Sequence, residues 1–147
     1  MPKLYVMVGI PGSGKSTYAE VNLSQSATIF SSDKLRGELL GDEGNQDNKD
    51  LIFSTLYSRA RDCLLSGKDA VIDATNVNKF ERARVLENFK DIDDLVKVAI
   101  FVNTPLEECI SRNKNRSRVV PEKVIRDFYS RLEIPVEDEG FNSIVEV

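Results

Sequence analysis

Residues 9–17 read Gly-Ile-Pro-Gly-Ser-Gly-Lys-Ser-Thr, a fit to G-x-x-x-x-G-K-[ST]. The chemistry served by that spacing is the holding of a polyphosphate. Glycines let the backbone wrap closely around an anion, so the N–H groups of Gly12, Ser13 and Gly14 can converge on it. Lys15 is placed to reach the β and γ phosphates, and the Ser16 hydroxyl to hold Mg²⁺. From Thr17 a helix begins, whose unpaired N–H groups and positive dipole end add to the anion site. The expected ligand is a nucleoside triphosphate.

Further chemistry-bearing residues follow at intervals. Asp33 could accept the proton of an attacking hydroxyl, as a kinase catalytic aspartate does, or cap a helix. Arg36 lies one helical turn later on the same face, to grip an anionic part of an acceptor or to pair with Asp33 or Glu38. Asp73 stands where a Walker-B-like carboxylate would hold Mg²⁺, although Asp73-Ala74-Thr75-Asn76 also suits an ordinary strand-to-helix turn. Thr75 and Asn76 add neutral hydrogen-bonding groups beside it. Arg112, Lys114, Arg116 and Arg118 form the one basic cluster. In or beside a short irregular segment between two helices, they suit a lid that brings an arginine onto a transferring phosphoryl group, the alternative being a solvated charge run.

The elements that must position these residues alternate strand and helix. Apolar runs predict strands at Lys3–Val8, 27–30, 70–72, 96–102 and 143–147. Helical spacing is predicted from Thr17 to about Leu23, and through Leu35, Leu39 and Leu40 with Ser32 or Asp33 as cap. A polar, acidic connector covers 41–48. Further helices run through Leu51–Leu64, Phe80–Phe89, Leu106–Ile110 and Val124–Leu132. Thr104-Pro105-Leu106-Glu107 reads as a helix start, with threonine as cap and proline in the first turn. Five strands separated by helices imply a parallel sheet with right-handed crossovers, helices on both faces and ligands beyond the strands' carboxyl ends.

Composition bounds the rest. The 147 residues suit a single domain, residues 1–147, with a lid at about 112–120. A net charge of −4 advertises no global basic field, which argues against a protein that coats polynucleotide while leaving room for a local basic patch. With no histidine, His-based acid–base and triad chemistry is absent. Cys63 and Cys109 fall in helical patterns and are expected as buried free thiols. The chain leads directly into its first strand and has no apolar run of bilayer length, so a cytoplasmic protein with no membrane partner is expected. Nothing marks an obligate protein partner.

The phosphate loop, Ser32-Asp33-Lys34-Leu35-Arg36, Asp73-Ala74-Thr75-Asn76 and Arg112–Pro121 occur in an order that resembles the kinase domain of phage-type polynucleotide 5′-kinases, within a wider group of small P-loop kinases. The resemblance extends to Glu139-Gly140-Phe141 and the final strand. It implies a P-loop NTPase three-layer α/β sandwich with strand order 2-3-1-4-5. It also implies ATP as donor, Mg²⁺ as cofactor and a DNA or RNA 5′-hydroxyl end as acceptor. Asp33 then resembles the general base. Arg36, with Thr75 and Asn76 beside it, resembles the grip on the acceptor's neighbouring phosphate, Arg116 the lid arginine on ATP, and Arg112 a residue bordering adenine. A small-molecule hydroxyl acceptor is the first alternative, and a nucleotide-dependent binding switch the second.

Overall fold

The computed structural model describes residues 1–147. In chain order the elements are β1 (Lys3–Val8), α1 (Lys15–Asn22), β2 (Ala27–Ser31), α2 (Ser32–Leu40), α3 (Lys49–Leu65), β3 (Asp69–Asp73), α4 (Lys79–Glu87), β4 (Val96–Phe101), α5 (Leu106–Lys114), α6 (Glu122–Arg131), a 3-10 turn (Glu137–Glu139) and β5 (Ser143–Glu146). The strands form one parallel sheet in the order β2-β3-β1-β4-β5. That order reverses at β1, with β2 and β3 on one side and β4 and β5 on the other. The carboxyl end of β1, where the phosphate loop begins, is therefore the topological switch point at which such sheets bind ligands.

Side-chain alternation along the strands divides the core. Leu4 and Val6 of β1, Ala70 and Ile72 of β3, and Ala99 of β4 face Leu35, Ile52, Leu56, Leu64, Val85 and Phe89 from α2, α3 and the α4 region. Met7, Val71, Val98 and Ile100 face the opposite way, onto Ala19 and Leu23 of α1 and its end. The sheet is thus covered on both faces, as its near-continuous apolar strands require. A third cluster, Ile10, Val77, Cys109, Ile110, Val120 and Ile125, lies under α5 and α6. It anchors the segment between those helices to the end of the sheet. Cys109 is buried and Cys63 partly so, both as free thiols.

The local expectations are corrected at three helix starts. Helix α1 opens at Lys15 rather than Thr17, because Gly14 takes the left-handed cap conformation, φ 91°. Ser31, not Ser32 or Asp33, caps α2: Ser31 keeps an extended backbone and its Oγ accepts the Lys34 N–H at 3.2 Å. The Asp33 carboxylate is thereby released from capping. Thr104 does not cap α5 either. Pro105 holds that position, and the Thr104 hydroxyl instead donates to the Ser13 carbonyl at 2.7 Å. Helix α5 also runs on through Lys114, so Arg112 and Lys114 are helical and only Arg116 and Arg118 lie in the irregular part.

Candidate active site

The phosphate loop owes its shape to neighbours that leave no room for side chains. Gly12 has φ 84°, and a Cβ there would lie 2.5 Å from the Cys109 carbonyl oxygen of α5. Gly14 caps α1 with no side-chain hydrogen bond, which leaves the first-turn N–H groups for a ligand. The Ser13 carbonyl is held from outside by the Thr104 hydroxyl at 2.7 Å and by Arg112 Nη1 at 3.2 Å. The Gly9 N–H donates to the Thr75 carbonyl at 3.0 Å and ties the loop to the end of β3. Burial pushes the Lys15 ammonium below the usual lysine value. Asp73 and Asp33 pull it back up, and Arg116 pushes it further down. A desolvated lysine facing a cation gains most when a phosphate arrives.

Ser16 donates its hydroxyl hydrogen to Asp73 Oδ2 at 2.7 Å, while Asp73 Oδ1 is buried with no partner. An orphaned carboxylate oxygen beside a hydroxyl fits a hard cation that takes oxygen ligands and completes its shell with water and phosphate. Ser16 and Asp73 are the residues that would hold Mg²⁺.

On the far side of the loop, Asp33 is held by two arginines. Arg36 Nη1 donates to Oδ1 at 3.2 Å, and Arg118 Nη2 to Oδ2 at 3.0 Å. Arg36 is 6% exposed, lies over the Phe53 ring at 5.7 Å, and keeps a buried Nε with no acceptor. A buried guanidinium with a spare donor is a group that still has an oxygen to find. Arg118 was not separated from its neighbours by the sequence pattern, because which arginine turns toward Asp33 depends on the path of the chain between α5 and α6. Asn76 takes a supporting position: its amide donates to the Met7 and Ala74 carbonyls at 2.9 and 3.3 Å. Arg112 likewise braces the loop, pairing with Glu108 at 2.7 Å.

A cleft of about 1200 Å³ brings these residues together. Gly12, Ser13, Gly14, Lys15, Ser16, Thr17, Asp33, Arg36, Asp73, Thr75, Asn76, Arg112 and Arg116, each expected from the sequence, all line it. The fold also sorts charge. Eight cationic side chains line the cleft against four carboxylates, although the chain as a whole carries −4. Arg82 escaped the sequence pattern altogether. Fully buried on α4, it pairs with Glu139 at 2.7 Å and donates to the Asn76 carbonyl at 2.8 Å, so it fixes the turn after β3. Its partner lies 57 residues away, beyond any local signal.

Residues 4–135 match the family model of an AAA domain. Among curated proteins the chain is similar to the L-seryl-tRNA(Sec) kinase of Methanococcus maripaludis, 23% identical over 136 residues. That match covers 90% of this chain and 53% of the relative, so the chain spans about half the relative's length. Among solved structures it is similar to a chain of the Pnkp1/Rnl/Hen1 RNA repair complex, with TM-score 0.76, 22% identity, and coverage of 89% of this chain and 44% of that one. It is also similar to a gluconokinase from Sinorhizobium meliloti 1021, with TM-score 0.65, 19% identity, and coverage of 99% and 82%. These likenesses establish the P-loop kinase fold, an α/β sandwich with the sheet order described above.

Proposed function

The chain belongs to the AAA domain family, and from that premise we propose that it moves the γ-phosphoryl group of ATP to the 5′-hydroxyl end of a polynucleotide. The observation that carries this reading is the excess of cationic side chains in the cleft of an acidic protein, continuing past the phosphate loop to Asp33 and Arg36. The donor phosphates take up Lys15 and Arg116, and a neutral acceptor would leave the spare buried donor of Arg36 without an anionic oxygen.

The roles follow from position. The loop N–H groups and Lys15 hold the β and γ phosphates, and Arg116 meets the phosphoryl charge from the lid. Ser16 and Asp73 would hold Mg²⁺, which when bound would supply positive charge to the phosphates. Asp33 takes the proton of the 5′-hydroxyl as its oxygen bonds to the γ phosphorus, and the bond to the bridging oxygen breaks to release ADP. Arg36 and Thr75 receive the acceptor's neighbouring phosphate.

The test incubates the protein with γ-labelled ATP, Mg²⁺ and a short 5′-hydroxyl oligonucleotide, beside its 5′-phosphorylated twin. Label on the 5′-hydroxyl strand alone is expected. No transfer, with nucleotide binding intact, would move the acceptor to a small-molecule hydroxyl, the chemistry named for the gluconokinase of similar fold.

A further inference from the structure

Seven of the ten arginines pair with a carboxylate: Arg36, Arg59, Arg61, Arg82, Arg112, Arg118 and Arg126. Arg84, Arg116 and Arg131 have none within 4.0 Å, in a chain with 24 acidic residues to offer. All three line the one cleft. Arg116 is accounted for by the donor phosphates. Arg84 on α4 and Arg131 on α6 are not.

Their surroundings are built rather than incidental. The start of α4 and the end of α6 are docked together, since the Glu133 N–H donates to the Val77 carbonyl at 2.8 Å and the Lys79 N–H to Glu133 Oε1 at 3.1 Å. Along α6, Val124, Phe128 and Arg131 follow at i, i+4 and i+7, and each lines the cleft. Phe128 is half-buried against the cluster under α5 and α6, so its ring is fixed. The Arg131 guanidinium lies over that ring, 4.7 Å from its centroid, and Arg131 Nε otherwise reaches only the Asp127 carbonyl of its own helix at 3.4 Å. Of the two carboxylates three residues from Arg84, Glu81 accepts the Val77 N–H at 3.2 Å and Glu87 pairs with Lys90. The other three carboxylate side chains of the cleft are also engaged, Asp33 by arginines, Asp73 by Ser16 and Asp42 by the Gly44 N–H.

We infer that Arg84, Arg131 and Phe128 form a second acceptor subsite, which takes the inner phosphates and a base of a single-stranded polynucleotide whose 5′ end lies at Asp33. This rests on the function proposed above and narrows it, because the preferred acceptor is then a strand of several nucleotides and not a mononucleotide. Unpaired guanidiniums beside an aromatic platform suit a strand's alternation of phosphate and base.

The test measures the affinity of fluorescent 5′-hydroxyl di- and hexanucleotides, without ATP, for the wild type and for Arg84→Ala/Arg131→Ala, across a salt series. Both arginines are exposed and free of ion pairs, so the variant is expected to fold. In the wild type the hexanucleotide is expected to bind roughly tenfold or more tighter than the dinucleotide. In the double variant that advantage is lost and the salt slope for the hexanucleotide falls by about 1–1.5. A length advantage that survives the double substitution, or none in the wild type, overturns the subsite. Labelled ATP added to the same mixtures separates the two claims. Length-dependent binding without transfer keeps the subsite and removes the kinase reading, whereas transfer without length dependence does the reverse.

Discussion

At the scale of single residues, the site is a set of polar groups left partly unsatisfied. Asp73 Oδ1 and Arg36 Nε are buried without partners, and Lys15 is desolvated with its ammonium below the usual lysine range. Each such group costs stability until a ligand arrives, which is the mark of a binding site rather than of a core. Two predictions belong here. Lys15→Met removes the one loop cation and is expected to lower turnover by roughly a thousandfold or more, read by single-turnover transfer. Asp33→Ala is expected to lose roughly 10²–10⁴-fold in turnover, with ATP affinity by calorimetry within a few-fold of wild type. An Asp33→Ala enzyme at full speed would remove the general base from the mechanism. The Asp33–Arg118 pair is half-exposed and contributes at most ~1 kcal/mol to folding.

At the scale of elements, the strands and the phosphate loop were legible in the sequence because their signals are local. Lys3–Val8 runs into Gly9, and the continuous apolar run Ala70–Ile72 needs no partner to be seen. The caps at Ser31 and Pro105 lie one or two residues from the expected positions because backbone conformation, not residue type, decides which residue caps. Arg82 was illegible for a different reason: its role exists only once α4 meets the closing turn. That pair fixes an element-scale prediction. Arg82→Ala strands Glu139 in a nearly closed site and is expected to cost about 3–5 kcal/mol, read from urea unfolding. Arg82→Met with Glu139→Leu, apolar at both positions, is expected to recover most of the loss. A single variant as stable as wild type would mean that water reaches Glu139.

At the scale of the whole molecule, charge is sorted in a way that composition conceals. A chain of net charge −4 lines its cleft with twice as many cations as carboxylates, because the sheet order carries the arginines after β4 to the carboxyl edge where the loop after β1 opens. The same cleft reaches the core at Tyr57, which is buried between Phe53 and Phe89, edge-on to the latter at 6.0 Å. Burial raises the Tyr57 phenol from 10.0 to about 12, with Arg84 opposing and Glu81 assisting. A raised acid in the folded state means that folding favours the neutral phenol. Its contribution is complete below pH 10.0, the unfolded value, and disappears as the pH climbs to about 12. Two units correspond to about 2–3 kcal/mol. Urea unfolding of wild type and Tyr57→Phe between pH 8 and 12 isolates this, since every lysine titrates equally in both. The wild type is expected to lose that increment relative to the variant across the window. Parallel curves would show that the phenolate stays hydrated within the fold, and that the cleft admits water as far as the Tyr57 hydroxyl.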